Sequence, residues 1–308
     1  MKTFISLAVL FVFSVSLMAQ TATLKLNLEQ NKTYRVKSTS EQNTTINMGG
    51  TPRQAETKSY IMMSLKPVSV SPDFIMADIR FDTIITTVSS PKMEMNSNKT
   101  GNYKSSDFSE AVSYFLNKLS NTTFNIKLAP TGNVIEITNI RTITGDLLKG
   151  VDSVQGPMSS MVQAQIKMMI SETGIKGMIE SITAYLPGKQ VQVGDKWESH
   201  ISVSAGGMGL LMGTNYKLKK ITGNQAEISA ENTMEPANQV PVEMNGAEIS
   251  YDVRGLGKST LLIDTKTGWI IKISSKNHNQ GNMNIKAQGN DMQMPMEIEG
   301  TTEIVNVP

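Results

Sequence analysis

Cysteine is absent from the 308 residues. That excludes disulfides, thiolate nucleophiles, and zinc or iron–sulfur sites built on sulfur. It also removes the lipobox cysteine, so the chain is not expected to be a lipoprotein. Histidine is nearly absent, at two residues, and the formal net charge is only +2. A chain this close to neutral carries no electrostatic footprint for nucleic acid or for an anionic membrane surface. Aromatic residues make up 6% of the chain. No G-x-S-x-G elbow occurs. Gly257-Lys258-Ser259 mimics the end of a phosphate-binding loop, but the required first glycine falls on Asp252, and a strand-like run follows instead of a helix.

One long hydrophobic run is present, at the N-terminus. Lys2 precedes Phe4–Met18, apolar apart from three serines, and Ala19 ends it before the chain turns polar. This is the pattern of a cleaved secretory leader, shorter than the roughly 20 residues that span a bilayer. The expectation is an exported protein, periplasmic or extracellular, processed near residue 19. No second apolar stretch follows, so no transmembrane segment is expected after cleavage. What remains is ample for a large core.

The first half reads as strands. Leu24, Leu26 and Leu28 alternate with Lys25, Asn27 and Glu29, and Tyr34-Arg35-Val36 follows a polar turn. Residues 58–66 and 74–88 are β-prone runs with one buried face. The period then changes. Phe108, Ala111, Val112, Phe115, Leu116 and Leu119 form one helical stripe, and Asp107 with Glu110 forms a capping-box start. A hairpin around Pro130-Thr131-Gly132-Asn133 follows. Residues 141–186 are helical again, in two stripes interrupted at Gly174 and ended by Pro187-Gly188. From Val191 the chain returns to strands, separated by Gly223-Asn224, Asn245-Gly246 and Thr267-Gly268.

The two β halves read alike. Each opens with a Lys followed by an aromatic residue, Tyr34 or Trp197. Each later carries a Thr-Gly hairpin with apolar residues at matching offsets, Val134 to Ile137 and Ile270 to Ile273. The longer first half exceeds the second by about the size of the insertion bearing the 107–119 helix, as in a duplication. The expected fold is α+β, mainly antiparallel β, with two similar curved sheet halves joined by a helical segment. The expected layout is a signal peptide over 1–19, β half 1 over 20–140 with its inserted helix 107–119, a helical connector over 141–189, and β half 2 over 190–308.

Leu186-Pro187, Val191-Gln192-Val193-Gly194-Asp195-Lys196-Trp197 and Gly257…Asp264…Thr267-Gly268 stand in an order that resembles the uncharacterised exported bacterial family grouped as domain of unknown function 6263. The resemblance implies envelope location and a β-rich fold. It supplies no catalytic residues and no cofactor.

Methionine is abundant, at 21 residues. Met292, Met294 and Met296 alternate, so a strand would present them on one face. Soft thioethers suit Cu(I), which makes these three the metal candidates, with His278 and Met283 as added ligands. Methionine also fills irregular apolar space and adapts to varied ligands. Gly206–Gly213 is apolar and glycine-rich, a candidate lip over a pocket. The functional expectation is a non-catalytic envelope protein that binds an apolar small molecule, a lipid or an envelope protein partner. The alternatives are an enzyme using dispersed carboxylates, which leave no local spacing signature, and a Met-based copper protein. His200 and His278 have no acidic or nucleophilic neighbour in a recognisable spacing and read as surface residues.

Overall fold

The computed structural model describes residues 20–156, 159–205, 208–237, 241–244, 247–287 and 290–308. The expected leader and the turn at Asn245-Gly246 lie outside them. Strand β1 (Thr21–Leu24) is followed by β2 (Tyr34–Met48), β3 (Thr51–Val70), β4 (Ile75–Ser89) and β5 (Lys92–Asn96). Helix α1 (Phe108–Ser120) precedes the hairpin of β6 (Phe124–Leu128) and β7 (Val134–Ile137). Helices α2 (Ile140–Leu147), α3 (Ser159–Ile170) and α4 (Glu172–Thr183) come next. The remaining strands are β8 (Lys189–Gln192), β9 (Lys196–Ala205), β10 (Met208–Thr222), β11 (Gln225–Pro236), β12 (Val242–Met244), β13 (Ala247–Asp264), β14 (Ile270–Ala287) and β15 (Asn290–Val307).

All the long strands join one antiparallel sheet, ordered β7-β6-β4-β3-β2-β15-β14-β13-β11-β10-β9, with β5 on β4 and β12 on β13. The first and last long strands are therefore neighbours at its centre, where Ser38 faces Ile304 and Arg35 faces Val307. Period-two alternation sets one apolar face. Ile75, Ala77, Ile79 and Phe81 are buried along β4, and the central strands contribute a cross-strand row of Ile61, Ser38, Ile304, Ile273 and Leu261.

Helix α1 forms as its stripe predicts. The Asp107 carboxylate accepts from the amides of Ser109 and Glu110, and Phe115 and Leu119 are fully buried. The break between the two later stripes lies at Ser171 and not at Gly174. Ser171 Oγ accepts from Gly174 N at 3.0 Å and caps α4. Gly174 sits inside the first turn, where a Cβ would collide with Met168 O.

β13 runs unbroken through Gly255 and Gly257, and β14 runs through the polar stretch 276–279. Of the candidate lip, Gly206 and Gly207 lie outside the described residues, and Met208–Gly213 opens β10, paired with β9 throughout and with β11 from Leu210. Pairing with neighbouring strands overrides weak local propensity.

Helix α4 spans the gap between the two sheet edges. Toward β7, Val134 N donates to Glu180 Oε1 at 2.9 Å, and Thr183 Oγ1 donates to Gly132 O at 2.7 Å. Toward β9, Ser199 Oγ donates to Ala184 O at 3.1 Å and Trp197 Nε1 to Tyr185 O at 3.0 Å, just past the helix end. Gly177 lies so close to Ser202 O that no side chain fits between them. The N-terminal segment ties both Thr-Gly turns together. β1 pairs with β8, Leu26 N donates to Pro130 O and Asn27 N donates to Thr267 O, each at 2.8 Å.

Candidate functional site

The sheet curls far enough for α4 to touch both edges, and a cavity of about 340 Å³ lies between them. Its floor is apolar: Ile61, Phe81, Leu261, Ile273 and Ile304 from the sheet meet Ile182 from α4. Met178, Met212 and Met234 stand at its sides. Beside the floor the inner face changes character. The next two cross-strand rows read Ser59, Ser40, Thr302, Ser275, Ser259 and then Thr57, Gln42, Gly300, Asn277, Gly257. Further along, the same face is apolar again through Ile298, Met296 and Val253, all buried. A polar band thus crosses five strands of an apolar surface.

Glycine makes the room for this band. Gly255, Gly257, Gly281 and Gly300 all take inward positions on β13, β14 and β15. A Cβ at Gly255 would collide with Asn279 Oδ1, and one at Gly300 would come within 2.6 Å of Asn277 Oδ1. The amides therefore lie flat across the neighbouring strands. Asn232 Nδ2 donates to Ser259 Oγ at 3.0 Å, and Ser275 Oγ donates to the same oxygen at 2.9 Å.

Glu180 is the one carboxylate among the described residues lining the cavity, and it is already engaged by Val134 N. Lys276 is exposed and alternates outward between Ser275 and Asn277. Tyr185 and Tyr216 close one end. Burial raises the Tyr185 phenol above its ordinary range, and its hydroxyl donates to Gly268 O at 2.8 Å. Burial likewise pushes Tyr216 up to about 12, against the opposing pull of a hydrogen bond with Thr214. Trp197 stacks on Tyr216 with ring centroids 5.6 Å apart.

The methionine candidates share one face of β15, as alternation requires. Met294 and Met296 are each 8% exposed, whereas Met292 near the strand start is 54% exposed. Met296 packs with Val253 and Ile298, and Met283 lies against the same cluster. His278 points to the opposite face of the sheet, so strand parity separates it from these thioethers. His278 instead lies 3.6 Å from Glu297 and 3.7 Å from Glu299. The sequence reading missed these acidic neighbours because they arrive from β15. All three side chains are at least half exposed, as in a solvated surface group. His200 is exposed on β9 opposite Gly213.

The Ser/Asn band and Glu180 were also missed. Ser259, Gly257 and Gly255 continue the alternation begun by Ile263 and Leu261, which is the signal that marks them as inward-facing.

Fold and site together define an α+β protein with one curled antiparallel sheet whose edges are bridged by a helix over an apolar cavity. The chain belongs to the family of unknown function DUF6263, whose sequence pattern matches residues 73–270. No curated protein matches the sequence. Among solved structures, the chain is similar to lipovitellin, at 10% identity and a TM-score of 0.45, over 92% of this chain. It spans 26% of the lipovitellin chain. It is also similar to the COG4313 outer membrane channel from Pseudomonas putida F1, at 8% identity and a TM-score of 0.25, over 92% of this chain and 98% of the channel. A putative outer membrane lipoprotein-sorting protein domain from Vibrio parahaemolyticus matches at 8% identity and a TM-score of 0.14, over 88% and 83% of the two chains. Among the described residues, no helix is long and apolar enough to cross a membrane.

Proposed function

We propose that this chain is an exported, non-catalytic protein of the cell envelope that holds an aliphatic ligand beneath α4. The observation that carries this reading is the cavity itself. It is concave, floored by aliphatic side chains, of ligand-accommodating size, and bounded by a helix fixed at both edges of the sheet. Met178, Met212 and Met234 supply an adaptable wall, which suits aliphatic chains of varied shape better than a rigid aromatic slot. The N-terminal leader supports export. The two Thr-Gly turns, both tied to the segment Leu24–Asn27, support a scaffold of two related β halves joined by the helical connector.

Native mass spectrometry of the processed chain, gently recovered from the cell envelope, tests the proposal. The expected spectrum carries an N-terminus near Gln20 and a co-purifying lipid-sized adduct. After delipidation, displacement of a naphthylamine dye by n-alkanols gives a chain-length series. Affinity is expected to rise about fourfold per added methylene, from about 0.8 kcal/mol per buried CH₂, and to level off when the cavity is full. A chain without adduct, dye binding or chain-length dependence overturns the proposal.

A further inference from the structure

The polar band is the feature that a purely apolar ligand leaves unexplained. An aliphatic guest alone would strand Ser, Thr and Asn groups against hydrocarbon, which is unfavourable unless each finds a partner. We infer that the ligand is a single-chain amphiphile with an uncharged hydroxyl- or ester-bearing head. Its chain lies on the Ile61–Leu261 floor, and its head meets the band at Ser259, Ser275 and Asn277. This deepens the cavity reading above and rests on it.

Hydrogen-bond capacity points the same way. Ser259 Oγ accepts from both Asn232 and Ser275, so its own proton is left to donate to an incoming oxygen. Asn277 and Asn279 lie flat over glycine positions, with amides at the level where chain gives way to head. Charge decides the head's class. Among the described residues, Lys276 is the one cation bordering the cavity, and strand alternation turns its side chain to the outer face; Glu180 is the one anion and is occupied by Val134 N, so an ionised carboxylate or phosphate entering the band would meet no inward-facing cation. Desolvating such a group without a partner is strongly unfavourable. A hydroxyl or ester loses far less and is matched by side chains of its own kind.

The experiment compares 1-monodecanoylglycerol with decanoate at pH 8, each displacing a naphthylamine dye from the full processed chain. The neutral lipid is expected to bind about tenfold tighter or more, as sites built to hydrogen-bond a substrate group discriminate. In Ser259→Ala/Ser275→Ala that preference, each lipid being scaled to the variant's own dye affinity, is expected to shrink toward what solubility alone gives. Ser275→Ala alone serves if the double variant fails to fold. An equal response to both lipids in the wild-type chain overturns this inference while leaving the cavity reading intact. So does a preference unchanged in the variants. A wild-type chain that binds neither dye nor lipid overturns the cavity reading itself.

Discussion

Replacing Glu180 by alanine tests whether α4 is the element that closes the curled sheet. The Glu180 side chain is 5% exposed, and it accepts from Val134 N across the gap to the edge strand β7. Alanine leaves that amide without a partner in a dry site, at about 1–3 kcal/mol. Loss of the side-chain methylenes from a packed position adds up to about 1 kcal/mol. Lys176 lies 3.8 Å from the same carboxylate but is 44% exposed, so this pair contributes at most about 0.5 kcal/mol. The sum is a loss of about 1–4.5 kcal/mol. At about 2 °C per kcal/mol for a chain this large, the melting temperature should fall by about 2–9 °C.

Glutamine at the same position keeps an acceptor oxygen and should cost less than half as much. Lys176→Ala should be nearly silent. Urea denaturation followed by far-UV circular dichroism measures all three variants, and dye binding measures the cavity in parallel. Dye affinity should drop in Glu180→Ala, because the helix loses its grip on one sheet edge. A Glu180→Ala chain within about 0.5 kcal/mol of wild type would refute the reasoning. So would a Lys176→Ala chain that loses as much as Glu180→Ala, since the surface pair would then be the real latch.

Two further outcomes follow from the same geometry. Tyr185 and Tyr216 hold their protons above the ordinary value of 10 because burial disfavours the phenolate. Their stabilising contribution is complete below pH 10. Between pH 10 and about 12 the unfolded chain ionises while folded Tyr216 stays neutral, so stability falls by about 1.4 kcal/mol per pH unit for each tyrosine. Tyr216→Phe should flatten that slope by one tyrosine's share, and unfolding midpoints at pH 8, 10 and 11 with an unchanged slope would contradict the assignment. Gly255→Ala should destabilise by about 1–3 kcal/mol through its collision with the Asn279 side chain, and Asn279→Ala should recover most of that loss in the double variant. Strict additivity in this cycle, read by denaturation, would mean that the glycine does not serve the amide.

Much of this arrangement was legible where one residue's neighbours are local. The α1 stripe, its Asp107 cap and both Thr-Gly hairpins depend on contacts within one turn, and each formed. The alternation of Met292, Met294 and Met296 was legible for the same reason. What distinguishes Met292 from the other two is its place near the end of β15, which only the sheet determines. Gly255, Gly257 and the stretch 276–279 have poor local strand propensity, yet each sits in a central strand with hydrogen-bonded neighbours on both sides. The contact of Glu180 with Val134 joins residues 46 apart, and no periodicity encodes it.

The placement of glycine carries the argument one step further. A glycine inside a strand costs roughly 0.5–1 kcal/mol relative to alanine, and a sheet has no structural need for it away from bends and bulges. Here four of them point inward from three adjacent strands, β13, β14 and β15, within a register that runs without shift from Ala247 to Leu262 on β13. No bulge at these positions explains them. Two of them, Gly255 and Gly257, line the cavity directly. None of the four accepts alanine without a shift: an added Cβ would press on the Asn279 amide at Gly255, the Lys276 carbonyl at Gly257, the Asp252 carbonyl at Gly281 and the Asn277 amide at Gly300. At Gly255 and Gly300 the glycine serves an amide laid across the inner face, which the proposed ligand head would meet, whereas at Gly281 it serves the close approach of the Asp252 backbone.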